Sequence, residues 1–396
     1  MKNNPILKAP ILRLAILTTD NRQNNRDYSA TLPCFGAAPT ALLKGFFNLP
    51  DLEVHVLSCT QQLMASPPKL AENIWFHSLH VPNIGWLRTG YSGCILALRR
   101  KLREIQPDIV HAQGTERDCA ISAVFTPFPK VLTIHGNIRA IAKVAGAPFS
   151  SFLWFQAKLE SFVLPMFDGV LCNSRHTQSL VYSLAKKTWP VPNPLRLSFF
   201  SPTPASRLRI KPIRLLVIGT INPNKRALEL LRVLKSIYNS GASFQVMFGG
   251  SIVSSSYGKI FFEEVCKSRQ EGWLNFEERL PESDLIKLMD SSHALLHFPI
   301  EEAFGLVVAE ALARGLKLFA AKVGGIVDIV KGVQDAELFD TDDWSGLEYS
   351  LKAWIYNPVP PSPLSRELME LRYHPTVIAN RHLEIYREVL SRYKSS

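Results

Sequence analysis

The stretch Ile213-Arg-Leu-Leu-Val-Ile218-Gly219-Thr-Ile-Asn-Pro-Asn-Lys225-Arg226 is a short apolar run that stops at a glycine, turns through Asn-Pro-Asn and ends on two bases. An apolar run of this length reads as a strand buried on both faces of a parallel sheet, and the amphipathic pattern at 225–239 reads as the helix after it. The unit recurs toward the C-terminus, with strands at Ser243–Phe248, Ala294–Phe298 and Lys317–Ala320 and helical patterns at 282–290 and 304–315. Toward the N-terminus the strands read as Leu12–Thr18, Val54–Ser58, Asp108–Ala112, Val131–His135 and Gly169–Cys172. Such alternation predicts doubly wound α/β architecture.

Residues 189–212 interrupt the pattern with Pro190, Pro192, Pro194, Pro202, Pro204 and Pro212, which regular elements exclude. The predicted organisation is a Rossmann-like domain at 1–197, a linker at 198–212 and a second Rossmann-like domain at 213–375. A helix at 376–396 is predicted to pack back on the first domain. Two such domains would face across a cleft at the C-terminal ends of their strands, where α/β sheets bind ligands.

The 396 residues suit two domains, and 46% hydrophobic with 20% charged residues excludes wholesale disorder. Six cysteines without a C-x-x-C pair indicate neither a disulfide framework nor a zinc site, so buried thiols in a reducing compartment are expected. Ile11–Leu17 is broken by Arg13 and does not read as a signal peptide, and no apolar run is long enough to span a bilayer. A cytoplasmic protein, or one peripheral on the inner face of the cytoplasmic membrane, is expected. The net charge of +11 is asymmetric: Lys and Arg outnumber Asp and Glu by 21 to 11 in residues 1–200 and by 24 to 23 beyond. A basic first half expects an acidic partner, or is a solvated face. Nucleic acid is disfavoured, because no recognition motif accompanies the charge.

Pro299-Ile-Glu-Glu302-Ala-Phe304-Gly305-Leu306-Val-Val-Ala-Glu310-Ala-Leu-Ala-Arg-Gly315 carries the strongest chemical signal. Free amides at a helix start, with Gly305 allowing close approach, form a diphosphate site without a cation. Glu302 and Glu310 would accept hydrogen bonds from sugar hydroxyls; alternatively, Glu302 is a helix N-terminal charge and Glu310 a surface residue. Lys225 and Arg226 would contact phosphate, or be surface bases on an ordinary turn. Gly324-Gly325 allows close backbone approach or a tight turn. His111 and His135 each end a strand; the better catalytic candidate is His135, because Gly136 frees space beside its ring. Asn173-Ser174 is a helix cap or a cleft residue.

Together these segments resemble the family-4 retaining glycosyltransferases (glycosyl transferases group 1) of GT-B fold. Asp108-Ile-Val-His111-Ala is similar to the family's D-V-V-H-A-H and Thr133-Ile-His135-Gly to T-x-H-G. Pro192-Asn193 is similar to P-N-G, Gly219 to Lys225 to G-R-L-x-x-x-K, and Glu302 to Ala311 to E-G-F-G-L-x-x-x-E-A. The resemblance implies that Glu310 binds the ribose of a UDP- or GDP-sugar and Glu302 the transferred sugar. The amides of Phe304, Gly305 and Leu306 would take the phosphates, with Gly219 in the same loop as Lys225, which neutralises the diphosphate. His135 would lie near the reaction centre and Gly36 in a loop facing donor phosphate and acceptor. Thr220 stands where the family has arginine, with Arg226 a substitute, and Gln113, Ala303, Pro194 and Asp328 are further departures.

Amides and Lys225 stabilise a leaving diphosphate without a metal, and no cofactor is expected. Asp340-Thr-Asp342-Asp343 reads as a surface turn or helix cap rather than a metal site. The resemblance further implies retained stereochemistry by same-face attack, the diphosphate taking the acceptor's proton. A polysaccharide or glycolipid acceptor of cell-envelope, lipopolysaccharide or exopolysaccharide synthesis is expected. Aromatic segments at Trp86–Tyr91 and Phe149–Phe155 would meet an anionic membrane, or pack internally. The alternative is a catalytically degenerate GT-B scaffold or partner subunit, suggested by Thr220 and Ala303. A nicotinamide enzyme is excluded by the missing G-x-G-x-x-G after the first strand.

Overall fold

The computed structural model describes residues 11–84, 86–202 and 211–393. The first sheet holds β1 (Leu12–Leu17), β2 (Leu52–Thr60), β3 (Lys69–Ala71), β4 (Ile74–His80), β5 (Ile109–Gln113), β6 (Lys130–Ile134), β7 (Gly169–Cys172) and β8 (Thr188–Pro190). Their order is β3-β4-β2-β1-β5-β6-β7-β8, and only β3 with β4 is antiparallel. The second sheet holds β9 (Ile213–Ile218), β10 (Phe244–Gly249), β11 (Leu274–Glu277), β12 (Ala294–His297), β13 (Lys317–Ala321) and β14 (Ala336–Phe339) in the parallel order β11-β10-β9-β12-β13-β14. The strand order reverses at β1/β5 in one sheet and at β9/β12 in the other. At such a switch point the flanking loops diverge and leave a crevice. The loops after β9 and β12 are therefore neighbours.

Apolar side chains cover both faces of each sheet. Leu14 and Ile16 of β1 pack with Leu42, Phe46 and Tyr386, while Ala15 and Leu17 pack with Leu98, Leu102 and Val163 on the opposite face. The two-residue period of a strand sends alternate side chains to opposite cores. In the second sheet Leu215 and Val217 join Leu231 and Phe248, while Leu216 joins Val308, Leu312 and Met369.

The chain divides into two compact units, Met1–Pro194 with Pro375–Ser396, and Leu195–His374. The second unit thus begins before the expected linker at 198–212: the Leu195 amide donates to Tyr373 O at 2.9 Å and Phe199 is buried. Pro204 and the rest of 203–210 lie outside the described residues. Pro190 ends β8, a strand at the sheet edge, where a missing amide is tolerated. Four cysteines are buried, but Cys34 and Cys266 are exposed, against the expectation for all six. Trp86 and Tyr91 are core residues, 7% and 4% exposed, so this aromatic segment packs internally. No helix among the described residues is long and apolar enough to cross a membrane.

The final helix, Pro375–Tyr393, packs on the helix Ala37–Phe47 within the first unit. Gly45 makes the contact close: a Cβ there would stand 2.3 Å from Pro375 O and 2.8 Å from Ala379 Cβ. Gly45→Ala is expected to lower stability by about 1–3 kcal/mol through overpacking, measured by denaturant unfolding. Unchanged stability would contradict this packing.

Candidate active site

In the second unit, the turn after β9 and the loop after β12 are tied together by Asn224. Its Nδ2 donates to Glu301 O at 3.0 Å, its Oδ1 accepts from Glu301 N at 3.0 Å, and its own carbonyl accepts from Ile300 N at 2.8 Å. Asn222 Oδ1 accepts from Lys225 N at 2.9 Å and closes the turn. Gly219, at φ +154°, faces Gly250, where an added Cβ would lie 2.0 Å from Gly219 O. This framework brings Lys225 Nζ to 2.5 Å from Glu302 Oε2, and His297, at the end of β12, donates from Nε2 to the same oxygen at 2.8 Å.

The charges follow from this placement. Burial opposes ionisation of Glu302, yet the His297 hydrogen bond and the Lys225 charge overcome it and hold the carboxyl at about 2. His297 is 5% exposed. Burial lowers its pKa more than the Glu302 hydrogen bond raises it, so the ring is neutral. The site pairs an ammonium with a carboxylate that stays charged at any physiological pH.

Gly305, at φ +98°, caps the helix Leu306–Ala313. Among the described residues the Leu306 and Val307 amides have no backbone acceptor, leaving donors at the positive helix end. Phe304 anchors the loop in the core, edge-on to Tyr373 at 5.5 Å. Gly324-Gly325 admits this loop rather than a ligand. A Cβ on Gly324 would lie 1.8 Å from Glu302 O, and Gly325 N donates to that carbonyl at 2.9 Å. Glu310 is no surface residue: it is 4% exposed and accepts from Arg196 Nη2 at 2.8 Å through Oε1. Burial raises its pKa against the pull of Arg196, and Oε2 takes no hydrogen bond among the described residues.

Arg226 departs from its expected place. Its guanidinium donates to Thr341 O at 2.5 Å, pairs with Asp342 and lies 4.9 Å from the Trp344 ring centre. Asp342 and Trp344 hold it on the turn after β14, so it does not stand in for the arginine missing at Thr220. Within that acidic turn, Asp343 caps the helix Trp344–Tyr356 through Gly346 N at 2.9 Å.

In the first unit, His135 follows β6 and donates from Nε2 to Gln113 Oε1 at 2.7 Å. Asn173 Nδ2 donates to His135 O at 2.8 Å, while Ser174 caps the next helix. Burial lowers the His135 pKa to about 4, against the hydrogen bond with Asn193. His111 lies within β5, fully buried between Tyr386 Oη at 2.6 Å and Thr133 Oγ1 at 2.7 Å, which makes it structural. His382 of the final helix donates to Ile378 O at 2.8 Å, and burial lowers its pKa to about 4. Gly36 caps the helix Ala37–Phe47 at φ −60°, and an added Cβ would meet nothing closer than Pro39 Cδ at 3.6 Å. The fold itself therefore does not demand glycine there.

His297, Asn224, Arg196 and Glu116 were not singled out from the sequence. His297 ends a strand, the same signal that singled out His111 and His135. Glu116 follows β5; desolvation raises its pKa to about 7 against backbone hydrogen bonds. Arg196 and Asn224 carry no pattern that marks a partner 114 or 77 residues away.

Neutral His135 and His382 are expected to show no ring titration in NMR spectra between about pH 8 and 5.5, below the ordinary histidine value near 6.5. A midpoint near that ordinary value for either ring would contradict the burial described.

Residues 204–370 match the family model described as Glycosyl transferases group 1, and residues 49–199 match that described as Glycosyltransferase Family 4. No curated protein matches the chain. Among solved structures, the sucrose-phosphate synthase of Thermosynechococcus elongatus is similar at 16% identity and TM-score 0.76, over 96% of this chain and 99% of its own. Anabaena HepE in complex with UDP-glucose is similar at 16% identity and TM-score 0.69, over 96% and 99%. The lipopolysaccharide outer core galactosyltransferase WaaB is similar at 16% identity and TM-score 0.65, over 95% and 100%. With its two Rossmann-like units and both halves matched, the chain belongs to the group 1 glycosyltransferases and has the GT-B fold.

Proposed function

We propose that this glycosyltransferase moves a sugar from a UDP- or GDP-linked donor to a glycan or lipid-linked acceptor, with retention, without a metal, in cell-envelope or exopolysaccharide synthesis. The carrying observation is the convergence of Lys225 and His297 on Glu302, in the loop leading to the Gly305 helix start. Solved relatives described as bound to UDP-glucose and as a lipopolysaccharide galactosyltransferase support the donor and acceptor classes.

In this reading Lys225 and the amides of Phe304, Gly305 and Leu306 neutralise charge as it develops on the leaving diphosphate. Donors fixed in place before reaction cost no reorganisation and stabilise such charge by several kcal/mol. Glu302 holds a hydroxyl of the transferred sugar, and His297 keeps that carboxylate oriented. Glu310 offers Oε2 to the ribose while Arg196 holds Oε1. The acceptor hydroxyl attacks the anomeric carbon, the bond to the diphosphate breaks, and a diphosphate oxygen takes the hydroxyl proton. Neutral His135 serves as a hydrogen-bonding group near the transferred sugar, not as an acid. The first unit is the acceptor side, with Gly36 near donor phosphate.

A panel of UDP- and GDP-sugars with candidate acceptors, followed by proton NMR of the product, tests this. The product is expected to keep the donor's anomeric configuration and turnover to survive chelator. Glu302→Gln is expected to lower kcat by about 100-fold or more, as loss of a group acting at the transition state does. An inverted product, or activity lost to chelator, would overturn the mechanism. Absence of turnover with any donor would favour the degenerate scaffold.

A further inference from the structure

We infer that the paired helices Ile138–Val144 and Phe152–Val163, with the turn between them, form a docking surface for an anionic lipid bilayer. The helices pack on each other within the first unit. The inner face of the second helix is set by Gln156, Glu160 and Val163, all buried. The outer side presents Ile141 at 40% exposure, Val144 at 47%, Phe149 at 80%, Phe152 at 61%, Phe155 at 46% and Phe162 at 52%. Isolated exposed apolar residues are ordinary, but six on one packed helix pair, with Phe149 and Phe155 both against the Trp154 ring, mark an interaction site.

Charge selects the occupant. Residues 119–159 contain Lys130, Arg139, Lys143 and Lys158 and not one Asp or Glu. The next acid, Glu160, is fully buried and accepts from Thr115 Oγ1 at 2.6 Å and from the Ile138 and Arg139 amides at 3.1 and 3.3 Å, so it adds no surface charge. Lys143 and Lys158 are exposed, and Lys158 Nζ lies 5.4 Å from the Trp154 ring centre. Phenyl rings without acids, bordered by lysines on long stems, suit the interface between acyl chains and phosphate head groups. A protein partner would ordinarily be met by a rim of both signs. The inference stands on these residues; it rests on the proposed function only for the further consequence that a bilayer would present a lipid-linked acceptor to this unit.

Co-sedimentation of the full chain with vesicles tests it, using phosphatidylcholine alone and equal parts phosphatidylcholine and phosphatidylglycerol. Wild type is expected to bind the mixed vesicles and to be released by salt. Phe149→Asp with Phe152→Asp is expected to weaken binding at least tenfold, and Lys143→Glu with Lys158→Glu by more than about fivefold per lysine. These exposed positions should leave the thermal midpoint and the UDP-induced shift unchanged, so the outcome is independent of the donor assignment. Failure of wild type to bind either vesicle, or equal binding by the variants, would overturn the inference. So would sedimentation showing a dimer that Phe149→Asp converts to monomer without any vesicle binding, since the patch would then be a self-association face.

Discussion

Two proton donors share one carboxylate oxygen at the heart of the second unit. Glu302 Oε2 receives both Lys225 and His297. A buried carboxylate is costly unless its charge is matched, and the matching groups come from different loops, so the loops cannot be placed independently. Asn224 fixes one against the other through three hydrogen bonds. Gly324 and Gly325 then let the Glu302 loop rest on the turn after β13, where any side chain would collide with its backbone. The helix beginning at Leu306 inherits its position from this arrangement.

The first unit solves a different problem. Neutral, buried rings and hydroxyls replace the ion pair: His111 is held between Tyr386 and Thr133, and His382 packs 5.5 Å from the His111 ring. Through this network the final helix becomes part of the floor beneath His135. The helix returns from the second unit's end of the chain to the first unit's core, which Gly45 makes room to receive. Low proton affinity is a consequence of that desolvation.

Much of this was legible in the residues alone. The apolar runs at Gly169–Cys172 and Ile213–Ile218 coincide with β7 and β9, because strands buried on both faces need uninterrupted apolar residues. β3, β4, β8, β11 and β14 were missed: β3, β8, β11 and β14 are edge strands of three or four residues and β4 lies beside the β3 edge, where solvent permits polar side chains and even proline. Lys225, Glu302, Gly305 and Glu310 stand out in the sequence as candidates through their resemblance to family motifs, and the fold brings Lys225 onto Glu302. Arg226 was misplaced because adjacency in sequence says nothing of direction: its backbone is left-handed, at φ 55°, and its side chain joins Asp342 instead. Arg196 and Asn224 act over long sequence separations that no local pattern encodes.

In the proposed reaction Lys225 is the cation that neutralises the donor's diphosphate. Calorimetric titration of UDP and UMP into wild type and Lys225→Ala measures this directly. A charge-assisted contact contributes about 1.5–3 kcal/mol, so the preference for UDP over UMP should fall at least tenfold in the variant while UMP affinity holds. An undiminished preference for UDP would contradict the assignment of Lys225, and with it the reading of the site.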